Sequence, residues 1–262
     1  MNAEHGSGQV LRCLRKAMYI KPNGNGYTRK DTKLMIRQML IFIATILLVI
    51  NTSAAQEANR RFKILQSSEM TESQKDLVKS IQSGPRAKVA GSAANSGGGT
   101  VGSPFNVFLR SPELGEHLQQ VGSYIRFRSS LGFKLNELAI LMVARHWTSQ
   151  YEWFAHHRLA LQAGLDPEIA EAISKGERPV KMGSDEALIY EFTTELLETK
   201  QVRDQTFAAV KDRFGEQGVM DLIAVAGYYV LVSMVLNVDR TPIPGDAPAP
   251  LSPLSDRKAG SR

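Results

Sequence analysis

The sequence predicts an all-helical domain over residues 60–242, and three observations carry that expectation. Apolar residues recur every three or four positions through segment after segment, and no stretch alternates with period two long enough to force a sheet. Ser, Thr or Asp stands before most of these segments, with Gly after them, as helix caps do.

In chain order, Thr71 and Gln74 have the spacing of a capping box ahead of Leu77, Val78 and Ile81. Gly84 and Pro85 stop that helix. Residues 84–104, GPRAKVAGSAANSGGGTVGSP, hold almost no large apolar group, so burial cannot offset their ordering entropy and a flexible loop is expected. A helix opens at Ser111, with Pro112 in its first turn and Glu113 beside it. Its apolar positions Leu114, Leu118, Val121, Ile125 and Phe127 carry it to about Leu131.

The longest expected helix runs from Leu135 to about Ala163 and closes at Gly164. Asp166 and Pro167 start a short one that Gly176 ends. Ser184 caps another through about Thr199, carrying Leu188, Ile189, Phe192, Leu196 and Leu197, and Asp204 begins one ending near Gly215. The last, from about Gln217 to Asn237, is apolar nearly all round, the pattern of a helix central in a core or buried between subunits. Asp221, Gly227 and Ser233 argue against its spanning a membrane. Residues 243–262 are rich in Pro and small polar groups, which predicts a disordered tail.

Residues 1–55 read as a leader and signal peptide. Arg29, Lys30, Lys33 and Arg37 precede the apolar run from Met39 to Ile50, and Ser53, Ala54 and Ala55 supply small residues for cleavage after Ala55. Export to a periplasmic or secreted location follows, with an anchor formed by residues 39–50 as the alternative. Met35 is a more ordinary signal-peptide start than Met1. The run is shorter than the roughly 20 apolar residues of a membrane span, so no stable span is expected after cleavage.

The formal charge of +6 sits in that leader, which holds eight Lys or Arg and two acids. Residues 56–262 keep 24 of the 32 basic residues and 24 of the 26 acidic ones, so the expected mature part is neutral and nucleic acid is not an expected partner. The single cysteine, Cys13, also lies upstream of Ala55. Disulfides, cysteine nucleophiles and thiol redox chemistry are therefore excluded for residues 56–262.

Chemistry concentrates in the segment from Arg145 to His157, RHWTSQYEWFAHH. On one continuous helix, Arg145, Ser149, Glu152 and His156 fall within about 60° of one another. His156 can exchange a proton near neutral pH with Glu152 orienting it, Arg145 can grip a substrate carboxylate, and Ser149 can hydrogen-bond to it. A solvated or intersubunit polar face is the other reading of that stripe. Trp147, Tyr151 and Trp153 surround it as walls for a small cyclic substrate, or as core packing. No metal-ligand spacing is present, and a metal site is not expected.

The run from Ser103 to Ile173, with NELAILMVARHW and YEWFAHH at its centre, resembles the carboxymuconolactone decarboxylase family and more loosely its alkylhydroperoxidase D-like branch. The similarity covers about residues 60–240. It implies an alkylhydroperoxidase D-like helical bundle that assembles as a trimer or hexamer. In the thiol branch the motif is Glu, Cys, Cys, His, and its register falls on Glu137, Ser149, Glu152 and His156, so both sulfur positions are replaced. A peroxiredoxin-type antioxidant activity would lack its sulfur.

The resemblance implies a cofactor-free lyase or isomerase on a small carboxylated lactone or ring compound, with Glu137, Glu152 and His156 as proton-handling residues. Loss of CO₂ leaves negative charge conjugated to a carbonyl, which requires a hydrogen-bond donor or cation and then a proton source. A non-catalytic, ligand-binding oligomer is the alternative. Glu137 lies about 120° from Ser149 on an ideal helix and reaches the same site only if the helix bends or breaks between them.

Overall fold

A computed structural model describes residues 38–39, 59–244 and 249–253. The chain divides into two units, Met1–Asn51 and Thr52–Arg262, and the domain belongs to the second. The expected leader and signal peptide lie outside the described residues apart from positions 38–39, as does most of the expected tail.

Eight α-helices and no strand occur among the described residues of the domain, in agreement with the all-helical expectation. They are α1 (Glu72–Ser83), α2 (Phe105–Phe108), α3 (Pro112–Arg128), α4 (Phe133–His146), α5 (Gln150–Gln162), α6 (Pro167–Ser174), α7 (Ser184–Thr199) and α8 (Asp204–Asp239). Local rules account for several of their ends. Thr71 Oγ1 accepts from the Gln74 amide and Gln74 Oε1 from the Thr71 amide, the reciprocal capping box. Asp166 Oδ1 accepts from the Glu168 amide at 2.8 Å to start α6. Helix α8 joins the two segments expected before and after Gly215, whose φ of 72° puts a kink there that glycine adopts without a side-chain clash.

Helix α4 occupies the centre and packs against α5, α6, α7 and α8. Every residue from Leu135 to Arg145 is buried, with Leu138, Ala139, Ile140, Leu141, Val143 and Ala144 fully so. The last helix is not the central one. It buries one side, including Leu222, Val225, Tyr229, Val232 and Leu236, and exposes Met220, Ile223, Met234 and Val238 on the other. Its apolar stretch is long enough to cross a membrane by composition, but more than half of that stretch is buried inside the domain. A second, smaller core gathers Met70, Leu77, Val78, Ile81, Phe105, Phe108 and Leu109, and Leu118 and Leu231 pack against both cores.

Four expectations are corrected by these contacts. Residues 84–104 are not a structureless loop: Pro85–Lys88 form a 3-10 turn, Arg86 is buried, and Ala94 and Val101 enter the smaller core. Small side chains let the backbone pack closely, so little apolar bulk is needed to hold the segment.

On α3 the buried face is Gly115, Gln119, Gly122 and Ile125, whereas Leu114 and Val121 point outward at 54% and 45% exposure. Close approach selects that face. A β-carbon on Gly115 would stand 2.7 Å from Leu77 Cδ2, and one on Gly122 would stand 2.3 Å from Tyr228 Oη.

The helix expected from Leu135 to Ala163 is two helices. Thr148 takes φ 46°, in the left-handed region, and the chain turns between His146 and Gln150.

Finally, residues 249–253 of the expected disordered tail dock on the domain. Leu251 is 2% exposed, and its amide and carbonyl pair with the side-chain amide of Gln150 at 2.9 and 2.7 Å.

Candidate functional site

The break at Thr148 brings Glu137 to His156. Glu137 leaves α4 in its second turn, α5 returns alongside α4, and His156 Nδ1 lies 2.7 Å from Glu137 Oε2. His156 Nε2 stands 3.2 Å from Glu152 Oε1, one turn earlier on α5. One imidazole thus lies between two carboxyl groups. All three side chains are nearly sealed from solvent, at 8% for His156, 2% for Glu137 and 4% for Glu152.

The two carboxyl groups differ in environment. Glu137 is hydrogen-bonded to the ring, whereas Glu152 Oε1 approaches Nε2 without hydrogen-bond alignment and has no hydrogen-bond partner. Burial pushes the Glu152 carboxyl above the usual carboxylate range. His156, Arg126 and Arg86 pull it back, and the nearby Glu137 charge pushes it further up. With Glu137 ionised, Nδ1–H is the donor to it and Nε2 is the free basic atom, aimed at a carboxyl that burial favours protonated. The arrangement can hold a proton on Glu152, pass it through Nε2, and keep the ring oriented while it does so.

Helix α8 supplies the aromatic surface. The ring of Tyr229 meets that of His156 edge-on with centroids 5.0 Å apart, and Tyr228 meets Tyr229 edge-on at 5.3 Å. Burial pushes the Tyr228 hydroxyl up to about 12 and that of Tyr229 well above its usual value. Both phenols remain neutral donors at physiological pH. From α3, Arg126 faces the same interior, and from the 84–104 segment so does Arg86, whose Nη2 lies over Gly122 with Tyr228 Oη.

The expected stripe is only partly assembled. Ser149, Glu152 and His156 stay on one face of α5, where Ser149 is the N-cap residue, fully buried, with an Oγ that has no hydrogen-bond partner. Arg145 is not brought to them. It ends α4, about 12 Å along the axis from Glu137, and its Nη1 donates to the carbonyls of Ser174 at 3.2 Å and Ser252 at 2.8 Å. Its Nη2 donates to Thr148 Oγ1 at 3.3 Å. The α4–α5 turn rotates the two ends of the stripe apart, and Arg145 holds α6 and the docked tail instead.

Among the expected aromatic walls, Trp153 stacks on His157 with centroids 5.8 Å apart and lines a cleft with Ala170 and Pro250. Trp147 and Tyr151 pack against the main core. The aromatic ring against His156 is Tyr229. Both nitrogens of His156 face carboxyl groups, and among the described residues no group of three or more His, Cys, Asp or Glu is placed to hold a metal ion.

Arg86, Arg126, Tyr228 and Tyr229 escape the sequence reading because none shares a motif with His156. The available signals are faint: Arg86 is one of two charged groups, with Lys88, in a Gly- and Ala-rich segment, and two tyrosines interrupt an aliphatic helix. Compared with known proteins, the chain matches no family model, and no curated protein matches it.

Proposed function

We propose that the domain is a cofactor-free acid–base catalyst of the carboxymuconolactone decarboxylase kind, a lyase or isomerase acting on a small carboxylated lactone or related ring compound. The observation that carries this reading is the single imidazole held between two buried carboxyls, Glu137 at 2.7 Å and Glu152 at 3.2 Å, with no thiol between residues 56 and 262. Such a set is suited to moving protons.

In the decarboxylation, the bond between the ring carbon and the substrate carboxylate breaks and CO₂ departs. The electron pair moves into the conjugated lactone carbonyl as an enolate, which neutral donors such as the Tyr228 and Tyr229 hydroxyls stabilise. The proton held by Glu152 and His156 then passes to carbon, and one proton from water restores the pair. An isomerisation uses the same groups, with Nε2 taking a proton from one carbon and returning it to another. Ser149, on the same face of α5, is a hydrogen-bond partner for the substrate.

The resemblance of the NELAILMVARHW and YEWFAHH segments supports an alkylhydroperoxidase D-like bundle, and the exposed apolar side of α8 at Met220, Ile223, Met234 and Val238 supports a homo-oligomer, trimer or hexamer. The basic, apolar and small-residue order of residues 29–55 supports export.

The purified protein is assayed against carboxymuconolactone and a panel of lactone and ring acids, beside His156→Asn. Turnover by the wild type that drops on the order of 10²-fold or more in the variant is the expected result. Turnover undiminished in the variant removes His156 from the mechanism. Binding without turnover of any compound replaces the enzyme with a ligand-binding oligomer. Export predicts Gln56 as the first residue of the mature chain; an N-terminus at Met1 in the cytoplasm overturns it.

A further inference from the structure

The proton-handling set leaves two cations unused, Arg86, which is buried, and Arg126, which is half-buried. Arg126 lies one turn beyond Gly122 on the close-packed face of α3, and its Nε and Nη2 are both sealed from solvent without a hydrogen-bond partner. Those two nitrogens form the side edge of a guanidinium, the pair of parallel donors that fits both oxygens of one carboxylate.

Arg86 acts on it electrostatically and is 4% exposed, with its guanidinium 4.9 Å from the centroid of the Phe105 ring and Nη1 donating to the Gln119 carbonyl at 3.4 Å. Its Nη2 and Tyr228 Oη converge on Gly122, where a β-carbon would meet them at 2.8 and 2.3 Å. Arg86, Arg126, Tyr228, Tyr229 and Glu152 all act on one another electrostatically.

The charge balance of this interior is positive. Glu137 is a single carboxylate and burial favours the uncharged form of Glu152, so the two guanidiniums outnumber the charged acids beside them. A buried cation without a counter-charge is costly, and an anion brought to it is correspondingly well held. Arg145, the anchor expected from sequence, offers no comparable edge because Nη1 and Nη2 are both engaged by protein oxygens.

We infer that the Nε and Nη2 edge of Arg126, backed by Arg86, is the seat for the carboxylate of a small organic acid. The inference rests on the reading of the site as one for a carboxylated ring compound and names the residue that recognises the carboxylate. It also states a preference: a planar carboxylate over its neutral amide, which cannot accept two charge-assisted bonds, and over tetrahedral phosphate.

The test is titration calorimetry of the full chain with benzoate, benzamide and inorganic phosphate as probes, for the wild type, Arg126→Lys, Arg126→Gln and Arg145→Gln, each first shown to unfold cooperatively. Wild type binds benzoate one to one, with benzamide and phosphate at least tenfold weaker. Arg126→Gln loses tenfold or more for benzoate, and Arg126→Lys, which keeps the charge but not the two-pronged edge, also weakens it. Arg145→Gln leaves it unchanged.

Should Arg126→Gln fail to fold, the lysine variant still decides the matter. Wild-type affinity in Arg126→Lys, equal binding of benzamide or phosphate, no benzoate binding by the wild type, or loss on Arg145→Gln overturns the assignment. An absence of lactone turnover by the wild type alongside an Arg126-dependent benzoate site defeats the catalytic reading and leaves the carboxylate seat standing.

Discussion

Replacing Glu152 with glutamine tests whether its carboxyl is held protonated by burial. In the folded chain, desolvation raises its pKa above the ordinary value of 4.5. Below that value both folded and unfolded chains carry the proton, and the site costs nothing. Above it, and up to the raised folded pKa, the unfolded chain has released the proton while the folded chain retains it. Stability contributed at this position is therefore present at low pH and is lost as pH rises, with a slope of up to about 1.4 kcal/mol per pH unit.

Glutamine has the same shape and no proton to lose, so Glu152→Gln lacks that slope. The stability difference, variant minus wild type, is flat in acid, grows by up to about 1.4 kcal/mol per unit above the ordinary carboxylate pKa, and levels off once the folded carboxyl ionises. For a domain of this size each kcal/mol corresponds to about 2–4 °C in Tm. The assay is urea unfolding of both proteins from roughly pH 4 to pH 8, read by the fluorescence of Trp147 and Trp153, with the linear slope compared to confirm that only stability changed. A difference that stays constant across the range refutes the reasoning, because it means Glu152 gives up its proton as readily folded as unfolded.

Glu137→Gln replaces the acceptor-only carboxylate 2.7 Å from His156 Nδ1 with an amide that can accept from or donate to that nitrogen; nitrogen NMR of the histidines is expected to show one fixed tautomer at His156 in the wild type and a mixture in the variant. Gly122→Ala drives a methyl to within 2.3 Å of Tyr228 Oη, and overpacking of about 1–3 kcal/mol outweighs a helix-propensity gain of at most about 1 kcal/mol, lowering Tm. Asp239 is fully buried and accepts from Arg60 Nη1, Ser103 Oγ, the Phe62 amide and Thr241 Oγ1, so Asp239→Asn, which turns an amide group toward these donors, costs about 3–5 kcal/mol in urea unfolding. Leu251→Ala costs about 2 kcal/mol, the low end for a buried leucine because the docked segment can detach, and proteolysis of the tail accelerates.

Helix ends are legible in this sequence because their causes are local. The Thr71–Gln74 box, the Asp166 cap and the Gly215 kink each depend on a few neighbouring residues and form where spacing and backbone preference place them. The approach of His156 to Glu152 is legible for the same reason, since four residues on a helix make about one turn. The pairing with Glu137 was conditional on a break between α4 and α5, and Thr148, an unremarkable residue by propensity, supplies it.

The errors share one origin. Helix α3 shows a plausible apolar stripe through Leu114 and Val121, yet its glycines face inward, because the approach of Leu77 and Tyr228 leaves room for no side chain there. Periodicity records which residues are apolar, not which neighbour comes closest. Leu251 finds a buried seat from a Pro-rich segment for the same reason: the side-chain amide of Gln150, about a hundred residues earlier, satisfies its backbone.

Composition and spacing were sufficient to read an all-helical domain without thiols between residues 56 and 262 and with an acid–imidazole pair on one helix, since each of those properties resides within a short stretch of chain. Which cation faces that pair could not be read there. Arg145 adjoins it in sequence but is held by carbonyls across the domain, while Arg86 and Arg126 arrive from other segments. Burial, charge balance and close approach are sums over neighbours distant in the chain, and they exist only once the helices have packed.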